Sequence, residues 1–242
     1  MMVPDASFHN FDNGRIEVSF SKDQVWAAYD DDDGMPRYYA LVRQVISRKP
    51  FQMQISWLNS RSSCEFGPLN WIGSGHTKTC GGFKVGKCVV AKRLACFSHP
   101  VKWTKGARGG AVEIWPTKGD VWAVYRNWSP DWIEATSDEM MHKYDVVVVL
   151  DDYNDDAGAR VAPLVKLAGF TSVFDVDEGR THTILREEMF RFSHQVPFHI
   201  LNGLEAVNAP KGSYELDPAA LPLELLEVIT DDEERVSLSL SL

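Results

Sequence analysis

The chain has 242 residues and a mass of 27.3 kDa, with 44% hydrophobic and 24% charged residues, the composition of a folded globular protein and not of a disordered or collagen-like one. No run approaches the roughly 20 apolar residues of a membrane-spanning helix. The start lacks the basic and apolar regions of a secretory leader and there are only four cysteines, so the expectation is a reducing compartment, cytoplasm or nucleus, with no membrane.

In chain order, the first feature is a repeat. Lys22-Asp23-Gln24-Val25-Trp26-Ala27-Ala28-Tyr29 returns as Lys118-Gly119-Asp120-Val121-Trp122-Ala123-Val124-Tyr125, and Phe97-Ser98-His99-Pro100-Val101 returns as Phe192-Ser193-His194-Gln195-Val196. Two marks at nearly one offset divide the chain into two copies of a module. The expected division is a lead-in over 1–14, a first repeat over 15–105, a second over 112–200, a closing segment with a short helix over 201–228, and an acidic Leu-Ser tail over 229–242 that is expected to be disordered.

Short runs rich in Val, Ile, Tyr, Phe and Trp between turn residues read as strands: residues 25–29, 38–46 and 52–58 in the first copy, and 121–125, 144–150 and 160–164 in the second. Met53, Ile55 and Trp57 alternate with Gln52, Gln54 and Ser56, which puts the apolar set on a buried face. Residues 146–150 are apolar throughout and read as a central strand. Helical signals are few: a capped turn over 137–142, a short helix over 185–190, and Asp217-Pro218, an N-cap acid followed by Pro at the first helical position. The fold expected is mainly β, with two tandem related small β-barrels of the SH3, Tudor or PWWP kind and few short helices.

Aromatic faces attract quaternary ammonium groups, and carboxylates nearby concentrate cations. Trp26, Tyr29, Tyr38, Tyr39 and Trp57, beside the acidic run Asp30, Asp31, Asp32 and Asp33, are therefore candidates for a pocket that takes a methylated lysine or basic peptide, with Trp122, Tyr125, Trp128, Trp132 and Tyr144 as counterparts in the second copy. Tyr38 and Tyr39 are adjacent and point to opposite faces of a strand, so one of them lines the core and the other is exposed. The acidic runs fail the ligand pattern of an EF-hand, and the cysteine spacing contains no short knuckle for zinc. Ser98-His99 and Ser193-His194 are strand neighbours expected to face opposite ways, so neither His serves its own Ser as a base. No catalytic residue, metal or cofactor is expected.

Charge is segregated as well. The formal net charge is −9, yet residues 77–118 hold nine Lys or Arg against one acid, Glu113. Within this stretch Lys84, Lys87, Lys92, Arg93, Lys102, Lys105 and Arg108 form a candidate basic patch for weak, non-specific nucleic-acid contact. At the other end, Leu238, Leu240 and Leu242 alternate with Ser. That tail resembles the Leu-x-Leu-x-Leu motif by which plant regulators recruit Topless-type corepressors.

Several marks occur together over about residues 8–222. They are Asp30-Asp31-Asp32-Asp33-Gly34-Met35-Pro36-Arg37-Tyr38-Tyr39-Ala40, Trp57-Leu58, Cys80-Gly81-Gly82-Phe83, the two Phe-Ser-His sequences, Gly169-Phe170, and Glu215-Leu216-Asp217-Pro218-Ala219-Ala220-Leu221-Pro222. In this order they resemble the plant DnaJ-associated domain of unknown function 3444. The resemblance implies a domain that sits C-terminal to a J domain in plant proteins associated in part with nuclear transcription complexes. This sequence holds no His-Pro-Asp tripeptide, so direct action on a heat-shock chaperone is not expected of it. The combined expectation is a non-catalytic protein-interaction module, nuclear and linked to chromatin or transcription, whose partner is a histone tail or a transcription regulator. The alternative is a chaperone-associated client-binding domain.

Overall fold

A computed structural model describes residues 7–60, 62–106 and 110–230. It is mainly β, with two sheets. The first contains β1 (Val25–Ala28), β2 (Tyr38–Arg48), β3 (Phe51–Asn59), β4 (Gly81–Ala91), β5 (Phe97–Val101), β6 (Thr104–Lys105) and β7 (Ala111–Ile114), in the order β5-β1-β2-β3-β4-β7-β6. The second contains β8 (Val121–Tyr125), β9 (Tyr144–Val149), β10 (Ala159–Lys166), β11 (Val173–Val176), β12 (His182–Ile184), β13 (Phe192–Gln195), β14 (Phe198–Ile200) and β15 (Tyr214–Leu216). Its order is β13-β8-β9-β10-β11-β15-β14, with β12 added on β10.

Strand for strand the two orders are the same, and all pairings are antiparallel. In each copy one chain segment supplies both outer strands. Only Lys102 and Trp103 separate β5 from β6, and only Val196 and Pro197 separate β13 from β14. Two residues span about 7 Å, so the two edges of each sheet must approach one another and the sheet curls into a barrel-like module. The repeated Phe-Ser-His sequence opens this closing segment in both copies. Sheet pairing extends through β7 at 111–114 and through β15 at 214–216, so the sheets are wider than the repeat units read from the sequence: β7 and β15 do not resemble each other in sequence.

Alternation along β1 explains why all four of its residues are buried. Val25 and Ala27 pack with Tyr39, Leu41, Phe83 and Ile114, while Trp26 and Ala28 pack with Phe20, Val42, Met53, Ile55 and Phe97. Phe20 stacks on Trp26 at 4.0 Å, so the segment just before β1 covers the outer face of the sheet. The expected alternation in β3 breaks at one place. Met53 and Ile55 are buried, but the register shifts between Ser56 and Leu58. Such a bulge re-aims the residue within it, and Trp57 is left 37% exposed while Ser56 is buried.

Residues 62–80, between β3 and β4, join the modules. Phe66, Trp71 and Cys80 belong to the core of the second module and not of the first. Phe66 meets Phe190 edge-on at 5.1 Å, Trp71 stacks on Phe190 at 5.3 Å, and Thr79 Oγ1 donates to the Phe192 carbonyl at 2.5 Å. Where this insert re-enters the sheet, Gly81 has φ +93°, and a Cβ there would lie 2.5 Å from Glu65 Oε1 and 2.9 Å from the Phe66 ring. The Cys-Gly-Gly-Phe mark therefore reflects a crowded left-handed corner that suits glycine. The remaining helical signals appear as α1 (Asp138–Met141), a 3-10 turn at Arg186–Arg191, and a second at Pro218–Ala220 whose Asp217 cap accepts from the Ala219 amide at 3.0 Å; α2 (Leu223–Leu226) follows.

Candidate functional site between the modules

The acidic run of the first module and the aromatic residues of the second meet at the junction. Pro36-Arg37 leads into β2, and Arg37 is 3% exposed. Its guanidinium makes a bidentate pair with the Asp33 carboxylate, with Nη2 to Oδ2 at 2.6 Å, and lies 3.5 Å from Asp30 Oδ2. It also donates from Nε to Ser193 Oγ at 3.1 Å and from Nη2 to the Tyr144 hydroxyl, which in turn donates to Asp33 Oδ2 at 2.7 Å. The guanidinium carbon stands 5.7 Å from the Tyr144 ring centroid and 6.0 Å from that of Tyr125.

The charges of this group reinforce one another. Burial alone would push Asp33 up, but the hydrogen bonds and charge of Arg37, with the Tyr144 hydroxyl and the Met35 amide, hold it well below the usual carboxylate range. Burial would likewise lower Arg37, and it is outweighed by Tyr125, Asp33 and Tyr144, so the cation is held firmly. Burial pushes the Tyr144 phenol up. A buried cation over aromatic faces, closed by a carboxylate, is the arrangement an aromatic cage offers to a ligand. Here the chain's own Arg37 fills it.

Beside this pair lies an open cavity of about 90 Å³, lined by Asp30, Asp32, Arg37, Trp71, His76, Tyr125, Trp132 and His142. Trp71 and Trp132 stack at 6.0 Å, and Tyr125 meets Trp132 edge-on at 5.4 Å. His76 packs on Trp71 at 4.5 Å and is kept neutral to lower pH by burial; its Nε2 has no hydrogen-bond partner among the described residues. A second cavity, of about 260 Å³, shares Arg37, Gly75, His76 and Thr77 with the first and continues along Tyr38, Asn59 and Lys78. Lys78 is buried against Glu65, and burial lowers it to about 8.

Asp32, Asp138 and His142 bring one ligand atom each within 4.8 Å of the others at the mouth of the smaller cavity. Among the described residues this is the group whose donor types suit a metal ion. His142 Nε2 stands 3.6 Å from Asp32 Oδ2.

The structure redistributes the aromatic residues singled out in the sequence. Trp26, Trp122 and Tyr144 are buried core side chains that line neither cavity, so they are corrected from pocket candidates to packing residues; Tyr39 is equally buried but lines part of the larger cavity. The Tyr39 hydroxyl is spent on the Thr79 carbonyl at 2.7 Å. Tyr125 does line the cavity. Tyr38, 44% exposed, lines the adjoining one. Tyr29 is half-buried outside both, Trp57 lies exposed on the first module and stacks on Phe97, and Trp128 packs half-buried on the second core. Trp71, His76 and His142 were not among the candidates. The signal for Trp71 was its aromatic ring in a Gly- and Ser-rich run with no strand pattern.

The Ser-His expectation is also corrected. Ser98 Oγ lies 2.9 Å from His99 Nδ1 and Ser193 Oγ lies 3.0 Å from His194 Nδ1. Both sites carry a register irregularity against β1 or β8, which turns neighbouring side chains toward each other. His194 Nε2 is tied to the Ala220 carbonyl at 3.0 Å, and both Ser193 and His194 are fully buried. Phe97 and Phe192, which precede the two pairs, are buried.

Lys84, Lys87, Lys92, Arg93, Lys102 and Lys105 are exposed on the first module, with Lys102 paired to Asp120 at 2.8 Å. Arg108, Leu238, Leu240 and Leu242 lie outside the described residues.

The family model of a domain of unknown function, DUF3444, matches residues 1–205, and the chain belongs to that family. No curated protein and no solved structure matches it.

Proposed function

We propose that this member of the DUF3444 family is a non-catalytic protein-interaction module that reads a basic side chain of a peptide in the cavity between its two β modules. One observation carries the reading: Trp71, Tyr125 and Trp132 converge with Asp30 and Asp32 around one opening. Aromatic faces contribute about 0.5–2 kcal/mol per cation contact depending on desolvation, and the carboxylates supply the opposite charge. The small volume suits a single head group, such as a methylated ammonium, and the adjoining cavity offers room for the flanking peptide. Arg37 supports the reading from within, since the same ring types and acids already hold one cation.

A histone tail or another basic regulatory peptide is the partner of matching chemistry, in the nuclear, chromatin- or transcription-linked setting that the resemblance implies. An array of histone-tail peptides in all lysine methylation states tests this: methylation-dependent capture by the full chain supports it, and capture indifferent to methylation overturns it. A second reading, client binding in a chaperone-associated protein, draws on a cavity of about 380 Å³ on the second module, lined by the apolar Val147, Pro163, Leu164 and Phe174 and by charged residues such as Arg126, Asp145 and Arg191. Capture of unfolded apolar clients in place of basic peptides favours that reading.

A further inference from the structure

The first module carries a feature that the cavity does not use. β4 is paired with β3 from Lys84 to Ala91, but its other side is paired with β7 only from Gly81 to Lys84. Beyond that point, over Cys88, Val89, Val90 and Ala91, no described residue pairs with its outer edge. Val89 is 43% and Val90 50% exposed, and Lys87 and Cys88 are exposed beside them. An open edge with exposed β-branched residues is a template for another strand.

Its charge says which strand. Strands β2, β3 and β4, with the turns next to them, cover residues 38–59 and 81–96, and they hold Arg43, Arg48, Lys49, Lys84, Lys87, Lys92 and Arg93 without one Asp or Glu. Lys87 on one side of the open stretch and Lys92 and Arg93 on the other are all exposed, and none of the three has an ion pair among the described residues. A second copy of the same edge would bring like charges together, which opposes pairing.

We propose that the outer edge of β4 at Cys88–Ala91 is a β-augmentation site for an extended peptide in which acidic residues alternate with aliphatic ones. The peptide backbone pairs with the free edge. Its carboxylates fall on the face of Lys87, with Lys92 and Arg93 just beyond the strand end, and its aliphatic side chains fall on the opposite face beside Val90. This site is separate from the cavity between the modules and does not depend on it. Nucleic acid would satisfy the charges but would leave the strand edge unpaired.

The test is fluorescence anisotropy on the full chain with a labelled eight-residue peptide of alternating Asp or Glu and Val or Ile. Controls are the same peptide N-methylated at alternate residues, a scrambled block peptide of equal charge, and a single-stranded oligothymidine. Saturable binding is expected, weakened at least tenfold by N-methylation and at least tenfold in the exposed triple variant Lys87→Glu, Lys92→Glu, Arg93→Glu, with slowed amide exchange over 88–91. Oligothymidine is expected to compete poorly. Absent binding, equal binding of the N-methylated or block peptide, displacement by oligothymidine at lower concentration than the unlabelled peptide, or occupation of the edge by self-association would each overturn the proposal.

Discussion

Arg37 and Tyr144 hold the same position in the two copies of the repeat, and their polar ends bond to each other across the junction. The equivalence follows from register. Ala28 pairs with Tyr38 in the first sheet and its counterpart Val124 pairs with Asp145 in the second, so the residues one step earlier, Arg37 and Tyr144, correspond. A duplicated module has thus placed a cation at one copy of a site and its aromatic acceptor at the other. The pair, closed by Asp33, fixes the acidic run against the second module and so shapes the wall of the cavity.

Truncating Arg37 is therefore expected to cost more than a surface ion pair would. Removing one partner of a buried pair leaves the other charged and unpaired, typically about 3–5 kcal/mol. Arg37→Ala should lose stability of that order in urea unfolding, and Arg37→Lys should recover only part of it, because a single ammonium cannot span Asp33 and Ser193 together. A loss below about 1 kcal/mol for Arg37→Ala would show that the junction does not depend on the pair.

The two adjacent tyrosines should behave in opposite ways. Tyr39→Phe removes one buried hydrogen bond, and about 1 kcal/mol is expected; Tyr39→Ala also opens a cavity and should cost several kcal/mol. Tyr38→Ala, at an exposed position, should stay within about 0.5 kcal/mol of the parent. Equal effects at the two positions contradict the strand orientation.

This contrast marks how far the sequence could be read. The period of two in residues 38–39 settles that one tyrosine is buried, and β1 with its neighbours was legible from β-branched and aromatic runs. What one residue meets across a bulge was not: Trp57 turned outward and each Ser-His pair turned inward because a single extra residue reverses the alternation that sequence reasoning relies on. The cavity was half legible. Asp30, Asp32 and Tyr125 stood in recognisable marks, whereas Trp71 and His76 come from an insert whose place is set by tertiary packing on Phe190 and Trp132, not by any local periodicity.

Acid should weaken the fold before the carboxylates are reached. Burial lowers His99 to about 4, and burial together with the charge of Arg37 lowers His194 to about 3. An unfolded chain protonates both near 6.5 while the folded one keeps them neutral. The folded state therefore has its full advantage above pH 6.5 and loses up to about 1.4 kcal/mol per pH unit per histidine as pH falls from there toward the folded values. Urea unfolding at pH 7.5 and 5.5 should show this loss, and His194→Gln should reduce it. A pH dependence left unchanged by His194→Gln contradicts the assignment.

The corner at Gly81 gives a sharper structural test. Gly81→Ala places a Cβ against Glu65 and Phe66 at positive φ, which should destabilise by more than about 1 kcal/mol. Gly119→Ala, at φ +86° in open space, should show the backbone cost alone. A smaller effect at Gly81 than at Gly119 would mean that the insert is not held against β4 as described.

The central claim is that the opening formed by Trp71, Tyr125, Trp132, Asp30 and Asp32 receives a cationic head group. Isothermal titration of the full chain with a short peptide carrying trimethyl-lysine, and with the same peptide carrying unmodified lysine or its uncharged tert-butyl isostere, addresses it most directly. Preference for the trimethylated form over both others, lowered at least fivefold in the exposed-acid variant Asp32→Asn, is the predicted result. Equal affinity for the cation and its neutral isostere, or binding unaffected by Asp32→Asn, would contradict it.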